Sequence, residues 1–495
     1  MKRIISILCL LVLLLQMAAC SENNQEEETS ANTETSASAA ETETDAVETE
    51  PMLTTNVPES YDIEGRDIPI LQFEESTNLK VDISELTGDA LNDAIFTAHQ
   101  AVMERLNCNF TFISNEGNET TKIENAYSAG EDAYDFVIGH QWKVAPLVTK
   151  HLLANLNPSG SDTENYIDLS KPWWYSKYID ETEIDNTHTY LLAGDASINV
   201  FRRASMLICN MDLLKDFGYD IESLYDEVIA GNWVWDNFAA MVESVYIDSN
   251  GDGLKDEEDT LGFATWSRSD VDHMLNDCGV RACSRDDDGL PYLDFNNEQT
   301  VTCIEKIFNL FWNNPGSYYE EGIPVDTMLS ENRILFILNK FSWLDTIRDI
   351  ETTYTIIPAP KLDESIDNYS SLVHDDACLI SVPVQSANIT DTTAVLEEMS
   401  KEYYYNVRPT YYNDILKSKY RRDSSDKASQ IMDILHDSTS TDFAYVYNYA
   451  ISGIITNLRD LVGVKQSADF ASHYAKNTKV YNKSFDKLLA SMKDS

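Results

Sequence analysis

Basic residues are scarce in this sequence. Lys and Arg number 36 against 84 Asp and Glu, which gives a formal net charge of −48 over 495 residues. Proteins bind nucleic-acid phosphates through Lys and Arg, so this balance argues against a nucleic-acid partner. It also argues against electrostatic binding to anionic lipid. A neutral or cationic ligand is the class that the charge favours.

Motifs of catalysis and of metal clusters are also missing. The sequence contains no CxxC pair, no HExxH, no GxSxG and no phosphate-binding P-loop. It has no internal repeat, a feature that adhesion and structural surface proteins often show. With 84 acidic residues some carboxylate pair arises in any fold, so such pairs do not identify a hydrolase. We therefore expect a protein that catalyses nothing.

Long apolar runs are confined to the N-terminus. Lys2 and Arg3 precede an apolar stretch over residues 4–15, which is typical of a secretory signal peptide at residues 1–19. The stretch is shorter than the roughly 20 residues that a membrane span needs. It ends in Met17-Ala-Ala-Cys20, which resembles a bacterial lipobox with Met17 in place of the usual Leu. The resemblance implies that Cys20 receives lipid, including palmitate; secretion with an unmodified Cys20 is the alternative.

Residues 21–60 contain no Lys, Arg or aromatic residue and consist largely of Glu, Thr, Ser and Ala. Such a segment cannot bury enough apolar surface to offset its conformational entropy, and its like charges extend it. We expect residues 20–60 to form a disordered acidic tether behind the lipid anchor. The remaining chain, about 430 residues from position 61, is long enough for two packed lobes.

Helices and strands alternate along this remainder in the manner of an α/β fold. Apolar residues recur at helical spacing over 89–107, and short apolar strands follow at 109–113 and 134–139. The chain from residue 391 onward is helical in pattern. Further strands are predicted at 189–193, 205–210, 334–338, 354–358 and 378–382.

Six cysteines lie beyond residue 20: Cys108, Cys209, Cys278, Cys283, Cys303 and Cys378. At this chain length the fold does not depend on disulfides, and buried free thiols are expected. Cys278 and Cys283 are close enough in sequence to pair, so their oxidation state stays open.

One segment, DSNGDGLKDEED at 248–259, has the spacing of a calcium-binding loop. A hard cation needs six to eight oxygens, and alternate positions of a tight loop supply them. Two positions depart from the EF-hand pattern, since the twelfth residue is Asp rather than Glu and the eighth is Lys. We expect a structural Ca²⁺, with a solvated acidic turn as the alternative. The expected ligands are Asp248, Asn250, Asp252, the Leu254 carbonyl, Asp256 and Asp259.

The order of several segments resembles one family. These segments are GDALNDAI (88–95), YDFVI (134–138), LSKPWW (169–174), ICNMDLL (208–214), WVWDNF (233–238), the calcium-like loop, Arg348-Asp349, PAPKLDE (358–364) and VLE (395–397). Together they resemble the family-1 extracellular solute-binding lipoproteins of carbohydrate ABC importers. One departure is that residues 67–83 lack the clear first strand that the family has.

The resemblance implies an α/β fold of the type II periplasmic-binding-protein-like class, with two lobes, a hinge and a ligand cleft between the lobes. Lobe 1 is expected at residues 61–195 plus about 356–415, and lobe 2 at 196–355 plus about 416–495. Hinge closure over the ligand is a known switching mode. The implied partners are a mono- or oligosaccharide and the permease of an ABC transporter. The implied state is a monomer, lipid-anchored at the extracellular face of the bacterial cell membrane.

Sugars present apolar C–H faces and hydroxyl groups, which proteins meet with flat aromatics and a few placed polar groups. Trp142 and Trp343 each follow a predicted strand, where clefts of α/β folds open. They are the first candidates, although a Trp is more often a core residue. The further candidates are Asp195, His140, Gln141, Asp345, Trp266 and Trp173, of which the polar ones could equally cap helices. A cationic solute or peptide is the alternative ligand, and a secreted carbohydrate-active enzyme the alternative function.

Overall fold

The computed structural model describes residues 52–73, 81–114, 117–160, 164–412 and 426–493. The predicted signal peptide and Cys20 lie outside these ranges. The chain divides into two units, Met1–Leu53 and Thr54–Ser495. Of the first unit only Met52 and Leu53 are described, and both side chains are exposed. The described helices and strands all lie in the second unit.

The second unit begins earlier than the predicted start at residue 61. Val57 is buried, and the Thr55 hydroxyl donates to Glu398 at 2.5 Å. The end of the predicted tether therefore packs against the folded part of the chain. Burial of the apolar Val57 side chain favours an ordered position for this segment in spite of the polar residues around it.

Strands and helices alternate through most of this unit. The strands are β1 Arg66–Gln72, β2 Cys108–Ser114, β3 Phe136–His140, β4 Ser205–Asn210, β5 Tyr246–Ile247, β6 Thr260–Thr265, β7 Cys283–Arg285, β8 Pro291–Leu293, β9 Ser317–Tyr319, β10 Ile334–Lys340, β11 Tyr354–Ile357, β12 Ser371–Leu372, β13 Cys378–Ser381 and β14 Thr439–Ser440. The helices are α1 Ala90–Leu106, α2 Glu119–Ala129, α3 Gln141–Val148, α4 Ser176–Asp180, α5 Asn199–Arg202, α6 Met211–Asp216, α7 Ile221–Ile229, α8 Trp235–Ser244, α9 Asp270–Asp277, α10 Glu298–Trp312, α11 Val325–Ser330, α12 Leu344–Ile347, α13 Ile389–Glu402, α14 Asp426–Asp437, α15 Phe443–Val446, α16 Ile454–Gly463 and α17 Phe470–Lys493.

The sheet of lobe 1 has the strand order β13-β3-β1-β2, in which β13 alone is antiparallel to its neighbour. The predicted helix at 89–107 is α1, whose apolar residues at helical spacing are buried. Asp89 caps it by accepting from the backbone N–H groups of Leu91 and Asn92. β3 is buried along its whole length, as strands covered on both faces are.

The first strand, β1, exists although the sequence pattern did not show it. Pro69 lies within β1, and proline is unusual inside a central strand because it lacks a backbone donor. The Pro69 carbonyl accepts from Asp135 immediately before β3 begins. β1 pairs with β3 only from Ile70 onward. The missing donor of Pro69 therefore falls outside that ladder.

The sheet of lobe 2 has the strand order β11-β4-β10-β6-β5, with β9 also paired to β6. Its core contains the aromatic rings of Trp233, Phe238, Phe263 and Phe336, with neighbouring centroids 5.5 to 6.1 Å apart. Because β11 pairs with β4 in this sheet, residues 354–357 belong to lobe 2. The second segment of lobe 1, which was predicted to begin at about residue 356, therefore begins later in the chain.

Among the described residues, two stretches of chain run side by side from one lobe to the other. The first crossing segment, residues 194–204, leads into β4, and the second crossing segment, residues 373–377, leads into β13. The backbone N–H of His374 donates to the Arg203 carbonyl at 3.0 Å, and Ala204 bridges Val373. The small sheet of β12 and β14 lies next to this crossing. The two crossing segments are thus fastened together where the lobes meet.

Within the described ranges, every helix is either too short or too polar to cross a bilayer. The six cysteines from Cys108 to Cys378 are buried free thiols, as expected, and Cys278 and Cys283 are among them.

Candidate ligand-binding site

Strands of both lobes end beside the crossing segments. In lobe 1, β3 ends at His140 and α3 begins at once, which places Trp142 in the first helical turn. In lobe 2, β10 ends at Lys340 and is followed by a 3₁₀ turn, Phe341–Trp343. β6 ends in the same lobe directly before Trp266. Open α/β sheets bind ligands at such strand ends.

Trp142 is fixed by its backbone, and its side chain is partly exposed. Its N–H donates to the carbonyl of Asp375, in the second crossing segment, at 3.2 Å. The N–H of Gln141 donates to the Ala377 carbonyl at 2.8 Å. The residue is 38% exposed. Its ring stacks on His140, with ring centroids 6.2 Å apart, and Lys143 Nζ lies 4.1 Å from the ring centroid. Such a ring has surface available for a flat apolar ligand face.

Trp343 reaches the same crossing from the other lobe. The preceding residue, Ser342, accepts a hydrogen bond from Arg203 Nη1 at 2.9 Å. Arg203 lies in the first crossing segment, and its Nε is 3.6 Å from Asp376 Oδ1. Asp376 follows Asp375 in sequence, so Trp142 and, through Ser342 and Arg203, the turn that contains Trp343 are linked to adjacent residues. The turns that carry the two candidate tryptophans therefore both border this junction.

Five polar residues at this junction form what we term the hinge cluster: Arg203, Lys340, His374, Asp375 and Asp376. Lys340 Nζ lies 3.0 Å from Asp376 Oδ2. His374 Nδ1 lies 2.7 Å from Asp376 and 3.3 Å from Asp375. Burial acts to raise the pKa of the Asp376 carboxyl. The hydrogen bond with His374 and the charges of His374, Lys340 and Arg203 outweigh it and hold that pKa well below its usual range.

Trp266, after β6, and the start of α9 contribute buried polar atoms that lack partners in the described part of the chain. Trp266 Nε1, Asp270 Oδ2 and His273 Nδ1 have no hydrogen-bond partner in the described part of the chain. The His273 ring stacks on His374 with centroids 5.6 Å apart, which ties α9 to the hinge cluster. Burial, followed by the charges of His374 and Lys340, lowers the pKa of His273 well below its usual value. Buried polar groups normally have partners, so these atoms suit a bound ligand.

Three of the other candidate residues are held by internal contacts. Buried Asp195 accepts from the Tyr175 hydroxyl at 3.2 Å and from Arg408 at 3.3 Å. Burial, opposed mainly by the Arg408 charge, raises the pKa of Asp195 to about 7. The Gln141 side chain accepts from the Tyr178 hydroxyl. His140 Nδ1 lies 3.1 Å from Glu119.

Asp345 and Trp173 are likewise bound within the fold. Asp345 Oδ2 lies 3.0 Å from Arg202 Nη2. Trp173 is fully buried and donates to Glu397 at 3.0 Å, while Trp174 donates to the same carboxylate at 2.9 Å. Both rings therefore belong to the lobe 1 core. Trp173, against the sequence prediction, offers no face to a ligand.

The calcium-like loop folds into a series of tight turns. Asp248 accepts from the N–H groups of Gly251 at 2.7 Å and Gly253 at 3.0 Å. Buried Asp259 accepts from Ser249 at 3.0 Å, and Asp252 from Leu254 at 2.7 Å. Across the described residues, no three His, Cys, Asp or Glu side chains are grouped as a metal site. The loop carboxylates are thus occupied by backbone donors, and calcium binding stays a prediction.

Sequence reasoning missed Asp270, His273 and the hinge cluster. The only available signal was position, because Lys340 lies two residues after the strand predicted at 334–338 and the HDD run at 374–376 precedes another predicted strand. Their convergence depends on the pairing of the two crossing segments, which no local pattern encodes.

Comparison with solved structures identifies the fold. The sugar-binding protein MalE from Xanthomonas citri matches with a TM-score of 0.56 at 10% identity, over 86% of this chain and 97% of that one. An ABC substrate-binding protein from Listeria monocytogenes, in complex with cycloalternan, matches with a TM-score of 0.52 at 14% identity, over 86% and 99%. The GacH receptor of Streptomyces glaucescens, whose structures include an acarbose complex, matches with a TM-score of 0.52 at 11% identity, over 86% and 99%.

These likenesses confirm the predicted two-lobed α/β fold of the type II periplasmic-binding-protein-like class. No family model matches the sequence, and no curated protein matches it.

Proposed function

We propose that this chain is the substrate-binding lipoprotein of a carbohydrate ABC importer, and that it captures a mono- or oligosaccharide between its lobes without catalysing a reaction. The observation that supports the proposal is that Trp142, the turn that contains Trp343, and α9 all border the crossing segments, through the contacts Trp142–Asp375, Ser342–Arg203 and His273–His374. Aromatic faces suit the C–H faces of a sugar ring, and the polar atoms suit its hydroxyl groups. The solved structures of the same fold include complexes with cycloalternan and with acarbose.

The cellular part of the proposal rests on the N-terminus. Cleavage before Cys20 and lipidation of that cysteine would anchor a monomer at the extracellular face of the membrane. The acidic segment behind it would let the folded unit reach a permease. Calcium in the 248–259 loop would brace lobe 2, since a metal that binds only the folded state adds to stability.

A thermal-shift screen of the chain from Ser21, which lacks the signal peptide and the lipidated Cys20, tests the proposal. The screen compares mono- and oligosaccharides with polyamines and short peptides, in the presence of calcium. Saturation at about 100 times the dissociation constant adds about 2.7 kcal/mol of stability, which is readily seen as a rise in melting temperature. A response to one saccharide series supports the proposal. A response to peptides alone, or to none of the saccharides, contradicts it.

A further inference from the structure

Asp270 differs from the acidic residues around it. Asp272 is paired with Arg459, whose Nε lies 3.1 Å from Oδ2. Within the hinge cluster, Asp375 and Asp376 both contact His374. Asp270 is only 4% exposed, yet its Oδ2 has no hydrogen-bond partner in the described part of the chain.

An unpaired carboxylate in a buried position is costly, because nothing there replaces the water that it loses. The charged groups that act on Asp270 are Asp272 and Glu321, which are repulsive, and Lys340 and Arg459, which are attractive. Burial, followed by Asp272, raises the pKa of Asp270 well above its usual value. A positive charge from a ligand would relieve both effects.

Two residues near Asp270 in sequence also carry buried polar atoms without partners. Trp266 lies four residues before α9, and its indole N–H has no partner in the described part of the chain. His273 lies three residues after Asp270, on the same face of α9, and its Nδ1 also has no hydrogen-bond partner among the described residues. Aromatic faces also attract cations. The site thus combines an aromatic residue, buried polar atoms without partners in the described part of the chain, and an acid whose Oδ2 accepts no hydrogen bond there.

We propose that the cleft selects a saccharide with a free amino group, whose ammonium pairs with Asp270 while the sugar ring contacts the tryptophans. The proposal rests on the proposed function and names its ligand class. A neutral sugar could donate hydroxyls to Asp270 but would bring no positive charge to favour its ionised form. A charge-assisted hydrogen bond to an ammonium is about twice as strong as a neutral one.

The test is calorimetric titration of the chain from Ser21 with matched probes. These are glucosamine, galactosamine and mannosamine, their N-acetyl derivatives and their neutral parent hexoses, together with chitosan and chitin trisaccharides. At pH 7 we expect at least one amine to bind about tenfold or more tightly than its N-acetyl counterpart. Asp270→Asn should abolish that preference, whereas Asp349→Asn, whose side chain is 90% exposed, should preserve it.

Each outcome separates the inference from the proposed function. Equal binding of amine and N-acetyl forms by the wild-type chain overturns the inference and leaves carbohydrate capture standing. This comparison needs no variant, so poor folding of Asp270→Asn does not spoil it. An amine preference that Asp270→Asn retains also overturns the inference. Loss of all saccharide binding, or binding of polyamines alone, contradicts the proposed function itself.

Discussion

The backbone N–H of Trp142 donates to the carbonyl of Asp375 at 3.2 Å, which fastens the first turn of α3 to the second crossing segment. The exposed indole of Trp142 is therefore held at the point about which the lobes would move. Hinges absorb backbone rotation at a few residues. A ligand that stacks on this indole would be coupled directly to lobe closure.

Replacement of either candidate tryptophan should weaken saccharide binding. Trp343→Ala and Trp142→Ala should each lose about 2 kcal/mol of binding free energy or more, because a large aromatic contact is removed. Trp343→Phe should retain most of it. Titration calorimetry with the saccharide found by screening measures the effect. Tyr449→Ala, at a residue 63% exposed elsewhere, is the control. Unchanged affinity in both Ala variants would show that the ligand lies elsewhere.

Asp376 should stabilise the fold in its ionised form. Asp376→Asn removes its ionic contacts to Lys340 and Arg203, at an expected loss of about 1–3 kcal/mol near pH 7. The folded-state pKa lies below the ordinary value of 3.8. The stabilisation is therefore complete above that value and is lost as the pH falls below it. Urea unfolding of wild type and variant should show a gap that narrows at acid pH. A gap that does not change with pH contradicts this assignment.

Glu397 should stabilise the fold in its protonated form, whereas Asp376 does so in its ionised form. Burial, opposed mainly by the indole N–H of Trp174, raises the pKa of Glu397 to about 7. The folded state then holds this proton more tightly than the unfolded state, so stability falls as pH rises from about 4.5 to about 7. Glu397→Gln should reduce the loss of unfolding free energy across this pH range by about 1–3 kcal/mol. Exposed Glu305→Gln should leave that loss unchanged. Equal slopes in wild type and Glu397→Gln would refute the shift.

Calcium should raise the melting temperature of chelator-treated protein. Asp248→Asn should reduce the rise, because the first position of such a loop supplies a charged oxygen. Glu257→Gln, at an exposed neighbouring position, is the matched control. Scanning calorimetry before and after calcium addition gives the readout. If calcium does not change the melting temperature of the wild type, the loop is a solvated acidic turn that binds no metal.

Cys20→Ser should release the protein from cells. The variant has no cysteine to receive lipid, and the lipid is the proposed membrane anchor. Stable anchoring depends on such lipid chains, since even a single acyl chain gives only marginal membrane binding. Fractionation of cells that express wild type or Cys20→Ser, followed by mass analysis of the N-terminus, measures the change. Wild-type protein that is found mainly in the medium, without lipid on Cys20, contradicts the anchor.

Elements with strong local patterns were predictable from the sequence. α1 follows from apolar spacing and its Asp89 cap, and the buried β3 follows from a short apolar run. β1 was missed because Pro69 argues against a central strand, and only the late start of its pairing with β3 permits it there.

The site was predictable only in part, for a physical reason. Trp142 and Trp343 follow strands, so position pointed to them. Trp173 could not be distinguished from a ligand-facing ring, because the acceptor of its indole N–H is Glu397, which lies 224 residues away in sequence. Asp270 is notable only because its surroundings leave it unpaired, and those surroundings come from several distant segments.

The central claim is that a saccharide binds between the lobes at Trp142 and Trp343. The measurement that tests it most directly is calorimetric titration of the best saccharide into wild type and into the Trp142→Ala, Trp343→Ala double variant. We predict one site per chain in the wild type and no measurable heat in a double variant whose melting temperature is retained. Equal binding by the two proteins, or no saccharide bound by the wild type, would contradict the account.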